Sequence, residues 1–288
     1  MAIESMDEAA ALERRASRHE TPCGEGGIVW RVWDKRACQG ANEPPPLVLL
    51  HGGSGSWSHW VRNIDALVDA GRRVVAPDLP GFGDSARPPQ GGDADALAQP
   101  LEDGFRRLLG DTACDLVGFS FGGLVATFIA ADVPARVRRL VLVGAPALGL
   151  PREPILLRAW THLEPGPARQ AVIRANLAAL MLARPGSIDA FALALQEHNV
   201  ARDRMRRRRL ARTDALVRAL PRVHAPVFGI WGGLDAIYRG QTAGIEPALR
   251  SAPGFRALEL IAAAGHWVQF EAAAQFDAAL ARALAADD

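Results

Sequence analysis

A doubly wound, mostly parallel α/β sheet with a helical segment inserted late in the chain is the fold class this sequence predicts, and three observations predict it. Short runs such as Leu47–Leu50 and Val74–Ala76 are continuously apolar, with no polar alternation, as strands buried on both faces of a parallel sheet must be. Each run closes in a Gly- or Pro-rich turn and gives way to a segment of helical spacing, an alternation that implies right-handed crossovers. The alternation then lapses over 151–220 and resumes at Val227. The 288 residues divide accordingly into 1–150 (first part of an α/β core), 151–221 (helical cap) and 222–288 (second part of the core).

In order, the residues up to about Ser17 read as a polar tail or short helix. His19–Thr21 and Ile28–Trp33 flank Gly24-Glu25-Gly26-Gly27, which predicts a hairpin with a loose turn, and the opposite parity of Trp30 and Trp33 puts one of them near an edge. Ala37–Pro46 is a connecting loop. After the strand Leu47–Leu50, apolar residues at Val61, Ile64, Leu67 and Val68 give helical spacing over Trp60–Ala70. Val74–Ala76 is the next strand, and Ala94–Leu109 reads as a helix in spite of Pro100 and Gly104. Cys114–Val117 and Val137–Val143 are strands around an Ala-rich helix. Beyond the cap come a strand at Val227–Trp231, a helix at Gln241–Leu249, a strand at Leu258–Ile261 and a closing helix at Glu271–Ala286.

Composition narrows the functional classes. At 49% hydrophobic and a formal charge of +1, the chain is a globular unit with a sizeable core, and the charge implies no nucleic-acid partner. Cys23, Cys38 and Cys114 are few, odd in number and not at metal-ligand spacing, which suggests a reducing compartment and no metal. No run approaches the roughly 18 apolar residues of a membrane span, and the acidic start is unlike a signal peptide, so a cytoplasmic monomer or homodimer is expected. Over 151–220, thirteen arginines face six acids, for a local charge of +7. The densest part, Arg202–Arg209, reads first as a solvated helix face and second as an attraction for an anionic substrate.

Chemistry concentrates at four turns. Gly118-Phe119-Ser120-Phe121-Gly122 stands between a strand and a helix, where glycines keep Cβ atoms out of a tight turn and lift the Ser120 hydroxyl from the sheet. Ser120 is therefore the candidate nucleophile, and the Phe121 N–H, at a helix N-terminus, a candidate oxyanion donor. His51-Gly52-Gly53-Ser54-Gly55 follows another strand and offers Gly53 as the second donor, with His51 bracing the loop. A phosphate-binding reading of this loop is weak, because neither G-K-[ST] nor G-x-G-x-x-G is present. Asp235 and His266 each follow a further strand, so Ser, Asp and His come from three strands of one sheet edge. Asp78 and Asp84 are explained by turn and cap bonding.

With His51-Gly52-Gly53, Asp78-Leu79-Pro80-Gly81-Phe82-Gly83, the Ser120 turn, Asp235 and Gly265-His266 in this order, the chain outside the cap resembles the α/β-hydrolase family. The resemblance implies Ser120 as nucleophile, His266 as general base, Asp235 as its orienting acid, Gly53 and Phe121 as the oxyanion hole, and no cofactor. No carboxylate follows Val143, where some relatives carry the acid, which favours Asp235. Substrate contacts are expected from Ser54, Phe119, Trp160, Met181 and Trp267, with Leu177, Leu180 and Phe191 as further apolar wall. Dehalogenases and epoxide hydrolases of this family place an aspartate where Ser120 stands, against both activities, and the epoxide enzymes also need cap tyrosines to activate the ring oxygen, whereas the sole tyrosine, Tyr238, lies outside the cap. Gly265–Glu271 is similar to carbon–carbon bond hydrolases of meta-cleavage pathways, yet those have asparagine where Phe119 stands. Hydrolysis of a carboxylic ester is thus the first expectation and carbon–carbon hydrolysis the second. A cofactor-free perhydrolase or haloperoxidase, or a non-catalytic binding module, is the remaining alternative.

Overall fold

The computed structural model describes residues 6–35, 43–205 and 207–286. Residues 1–5, most of the Ala37–Pro46 connection with Cys38, and Arg206 lie outside them. α1 (Asp7–Arg14) precedes a hairpin of β1 (Ser17–Cys23) and β2 (Gly26–Trp33). Then β3 (Leu47–Leu50), α2 (Ile64–Asp69), β4 (Val74–Pro77), α3 (Asp95–Leu109), β5 (Cys114–Phe119), α4 (Phe121–Asp132) and β6 (Val137–Val143) alternate. α5 (Pro167–Asn176), α6 (Ala190–Ala201) and α7 (Ala215–Ala219) lead to β7 (Val227–Gly232), α8 (Ile245–Leu249), β8 (Phe255–Ile261), α9 (Val268–Glu271) and α10 (Ala273–Ala285).

The eight strands form one sheet in the order β1-β2-β4-β3-β5-β6-β7-β8. β2 runs antiparallel to both its neighbours, β1 and β4, and every other pair is parallel. Successive residues of the inner strands enter different cores: Leu47, Leu49, Val117 and Phe119 pack on one face, Val48, Leu50 and Leu116 on the other. That two-sided burial is the physical reason for the unbroken apolar runs, and truncating one such leucine to alanine costs roughly 2–5 kcal/mol. Between β3 and β5 the strand order reverses, because β4 lies on one side of β3 and β5 on the other. A crevice opens outside the carboxyl ends of the strands at such a switch point.

Several elements differ from expectation for local reasons. The hairpin turn is tight: Cys23 pairs with Gly26, leaving the two-residue turn Gly24-Glu25, and Gly24 takes φ +56°. Neither Trp30 nor Trp33 sits at an exposed edge. β1 lies outside β2, Trp30 packs on Phe105, and Trp33 packs on Trp57 while its Nε1–H donates to the Leu12 carbonyl of α1 (2.8 Å). Gly104 belongs inside α3 because a Cβ there would lie 2.3 Å from the Trp30 ring. The helix expected from Trp60 begins only at Ile64, since Ser56 caps a separate short turn at Trp57–Trp60. Likewise Gln241–Leu249 is helical only from Thr242, first as a 3₁₀ turn and then as α8. β8 begins three residues earlier than expected, and the closing helix is two, broken at Ala272.

Between β6 and β7 the described residues hold helices and turns but no strand, including a π-turn at Leu177–Met181. Arg202–Arg209 departs from the expected helix face, because α6 stops at Ala201. Backbone groups that would continue it bind elsewhere: the Arg204 N–H donates to the Gly81 carbonyl (2.9 Å) and the Met205 N–H to Asp203 Oδ1 (2.8 Å). Cys23 and Cys114 are buried thiols, and burial pushes Cys114 up to about 12. No helix among the described residues is long and apolar enough to cross a membrane.

One carboxylate offers a stability test. Burial raises the Asp277 carboxyl to about 6, against an opposing hydrogen bond from Asn63 Nδ2 (2.8 Å). Between the unfolded value and about 6 the folded state holds the extra proton, so this group lowers stability as pH rises through that window. Asp277→Asn is expected to raise stability at pH 8 by about 1 kcal/mol after allowance for solvent screening, or about 2 °C in Tm. The gain should vanish near pH 4. Thermal unfolding at both values checks it, and an equal shift at both would assign the effect to packing instead of charge.

Candidate active site

The crevice at the switch point is built by the turns after β3, β5, β7 and β8. Ser120 leaves β5 with φ 49° and ψ −120°, a left-handed conformation that costs a non-glycine residue roughly 1–3 kcal/mol. The turn is held by the Ser120 N–H on the Val143 carbonyl (2.7 Å) and by the Gly123 and Leu124 amides on the Ser120 carbonyl. Its two glycines are required by close approach. A Cβ on Gly118 would lie 2.5 Å from the Gly122 carbonyl oxygen, and one on Gly122 2.4 Å from that of His51.

His266 Nε2 lies 2.9 Å from Ser120 Oγ, and His266 Nδ1 lies 2.8 Å from Asp235 Oδ2. Asp235 is fully buried and its other oxygen accepts the Ile237 amide (2.8 Å), which fixes the carboxylate plane. With the carboxylate accepting the Nδ1 proton, the Nε2 lone pair faces the serine hydroxyl. Gly144 makes room for this pair: a Cβ there would stand 3.2 Å from His266 Nδ1 and 3.3 Å from Asp235 Oδ2. The structure thus brings Ser120, Asp235 and His266 together.

Gly53 and Phe121 line the same cavity as Ser120. Phe121 is the first residue of α4, so its N–H is one of those a helix leaves without an internal partner. In the facing loop the Gly52 N–H is engaged by His59 Nδ1 (3.2 Å). His51 braces this loop through both ring nitrogens: Nε2 accepts the Leu79 amide (2.8 Å), so Nδ1 carries the proton toward the Gly52 carbonyl (2.8 Å). Burial lowers His51 to about 4, so it stays neutral, and burial likewise holds His59 well below the ordinary histidine range. Asp78 is a bracing group as well, accepting from the Trp57 and Asp84 amides and paired with Arg31 (3.1 Å).

Two supports have no counterpart in the sequence reading. Glu271 accepts the amides of Gly265 (2.6 Å), Ala183 (3.0 Å) and Arg184 (2.7 Å), tying the loop that carries His266 to the end of the π-turn. Ser54, itself at φ 52°, donates to Asp203 Oδ2 (2.6 Å), which also accepts from Arg208 Nη1 (2.7 Å), while Arg208 Nη2 donates to Ser54 Oγ (3.0 Å). The Arg208 guanidinium therefore lies over Gly53, whose Cβ, if present, would be 3.1 Å from Arg208 Nε. An isolated sequence holds no signal that singles out Arg208 from its arginine neighbours.

The cavity measures about 1300 Å³. Ser54, Phe119, Trp160 and Met181 line it as expected, as does Leu180. Trp267 does not: its ring is buried, stacks on Phe270 at 4.1 Å and donates Nε1–H to the His59 carbonyl (2.9 Å). Its amide hydrogen bond to the Met181 carbonyl (2.8 Å) turns the ring into the core, away from the cavity. Leu177 is buried in the core, and Phe191 packs on Phe270; neither lines the cavity.

The family model of the alpha/beta hydrolase fold matches residues 45–171. Over 254 residues the chain is 32% identical to 2-hydroxymuconate semialdehyde hydrolase of Pseudomonas sp. (strain CF600), covering 80% of this chain and 83% of that one. The chain belongs to the α/β-hydrolase family. It is also 34% identical over 248 residues to the dihydrolipoyllysine-residue acetyltransferase component of the acetoin cleaving system of Pseudomonas putida, covering 80% of this α/β hydrolase and 60% of that relative's length. Among solved structures, the esterase RhEst1 from Rhodococcus sp. ECU1013 superposes with a TM-score of 0.74 at 25% identity, over 94% of this chain and 99% of that one. A meta-cleavage product hydrolase from Pseudomonas fluorescens IP01 shares the fold, with a TM-score of 0.71 at 21% identity over 92% of this chain and 96% of that one.

Proposed function

We propose that this α/β hydrolase cleaves a carboxylic ester of a small or medium-sized substrate through an acyl-enzyme on Ser120. The observation that carries the reading is the unbroken relay Asp235–His266–Ser120, with contacts of 2.8 and 2.9 Å, opening on a cavity large enough for such a substrate. A serine hydroxyl is too weakly acidic to attack unaided. His266 Nε2 takes its proton as Oγ adds to the ester carbonyl, and Asp235 stabilises the imidazolium that forms. The oxyanion is received by the Gly53 and Phe121 amides, the alcohol leaves with the proton from His266, and water releases the acid by the same steps.

Carbon–carbon hydrolysis of a meta-cleavage product is the second reading, favoured by the likeness to 2-hydroxymuconate semialdehyde hydrolase. Against it stands Phe119, buried with its ring 5.0 Å from that of His266, where a side chain able to hydrogen-bond is expected for that chemistry. A panel of p-nitrophenyl esters of graded acyl length together with a meta-cleavage dienoate decides between them. Ester turnover with an inert dienoate supports the first reading; a dienoate preferred over every ester replaces it with the second. No turnover of either, with Ser120 unlabelled by a fluorophosphonate, would make the chain a binding module.

A further inference from the structure

The cavity that holds Ser120 has a lining of two chemical kinds. Trp160, Ile173, Leu180 and Met181 supply an apolar one. The other is cationic: among the described residues six arginines line the cavity against two acids, Glu153 and Asp203, a formal excess of four positive charges. Only one of the six, Arg208, is neutralised, by Asp203 at 2.7 Å. Among the described residues Arg152, Arg158, Arg207, Arg209 and Arg212 form no ion pair. Arginines elsewhere are mostly paired, as Arg31 is with Asp78 and Arg136 with Glu102. A smaller cavity of about 310 Å³ is also lined by Arg152 and Arg212, so these two residues border both cavities.

Such a collection of like charges is unfavourable unless water or an anion compensates it, and a cleft of one sign concentrates ligands of the other. One carboxylate offers two oxygens and is satisfied by a single bidentate guanidinium, whereas a phosphate or phosphonate offers three oxygens and up to two charges. Five unpaired guanidiniums on one cavity exceed what a monoanion can use. Arg208, locked to Ser54 and Asp203 beside Gly53, serves the loop and is not one of the free cations.

We propose that this cavity takes an ester bearing a phosphate-type dianion remote from the scissile bond, gripped by Arg152, Arg207, Arg209 and Arg212, while the apolar lining holds the hydrocarbon part. The proposal rests on the ester-hydrolase reading and names its substrate class. Three p-nitrophenyl esters of matched length test it at pH 8: the 4-phosphonobutanoate (dianion), the hydrogen glutarate (monoanion) and the pentanoate (neutral). The expected order of kcat/KM is phosphonate, glutarate, pentanoate, spanning about ten-fold or more at low salt and narrowing as salt shortens the Debye length from roughly 10 Å towards 3 Å. In the triple variant Arg207→Gln, Arg209→Gln, Arg212→Gln the phosphonate-to-pentanoate ratio should fall to about 1. The rate of fluorophosphonate labelling at Ser120 in that variant reports whether the protein still folds and reacts. A pentanoate turned over as well as the phosphonate overturns the proposal, and so does a glutarate preferred to it. If no ester is turned over, the hydrolase reading fails separately. Calorimetry of 4-phosphonobutanoate on Ser120→Ala then judges the anion site alone: binding that is lost with the three arginines upholds it, and no binding overturns it.

Discussion

Ser120→Ala is expected to lower kcat for any ester substrate by roughly five orders of magnitude, about 7 kcal/mol of transition-state stabilisation, while leaving ligand binding nearly intact. The size follows from what is removed. Without Oγ the proton relay through His266 has nothing to deprotonate, and only oxyanion stabilisation and binding remain. Stability should move by less than about 1 kcal/mol, because alanine keeps the Cβ and with it the strain of φ 49°. Ser120→Gly releases that strain and should be the more stable inactive variant. Mass spectrometry after fluorophosphonate treatment gives the direct check: the adduct belongs on the peptide carrying Ser120, and a stoichiometric adduct elsewhere would defeat the assignment.

The second large effect is expected at Asp235→Asn, with a loss of about four orders of magnitude in kcat. Asn can still accept the Ile237 amide through its carbonyl, so the turn after β7 should persist. Its amide nitrogen, however, would face His266 Nδ1 as a donor and force the imidazole into the other tautomer. The Nε2 proton would then point at Ser120 Oγ, and the base is lost although all three side chains remain. Near wild-type kcat in this variant would mean that another carboxylate orients the histidine. Neither Asp78 nor Asp84 is free to substitute, since Asp78 is engaged by Arg31 and two amides, and Asp84 by Arg31 and Arg202. Unfolding curves for the variant separate lost chemistry from lost structure.

Much of the sheet was legible in the order of residues because burial on both faces leaves a local trace: four or more apolar residues in a row, closed by Gly or Pro. Leu47–Leu50 and Leu140–Val143 have it, Asp115 interrupts it in Cys114–Phe119, and β8 shows the limit of the rule. Its half-exposed start, Phe255-Arg256-Ala257, alternates too weakly to mark a strand. Helix boundaries erred where a side chain took over a backbone bond, as Ser56 does before Trp57 and Asp203 does after α6.

By itself the sequence determined the fold class and the three turns that present Ser120, Asp235 and His266, since each depends on residues adjacent along the chain: a strand, a glycine where Cβ cannot fit, and a polar side chain just beyond. Only the tertiary structure decided which polar residues serve those turns from a distance. Glu271 reaches back across the turn to Gly265 and on to Ala183 and Arg184, Asp203 and Arg208 close on Ser54 roughly 150 positions away, and Trp267 turns inward under Met181. It also decided which arginines keep a free guanidinium, because pairing is settled by where an acid stands in space, and that distance is not written in spacing along the chain.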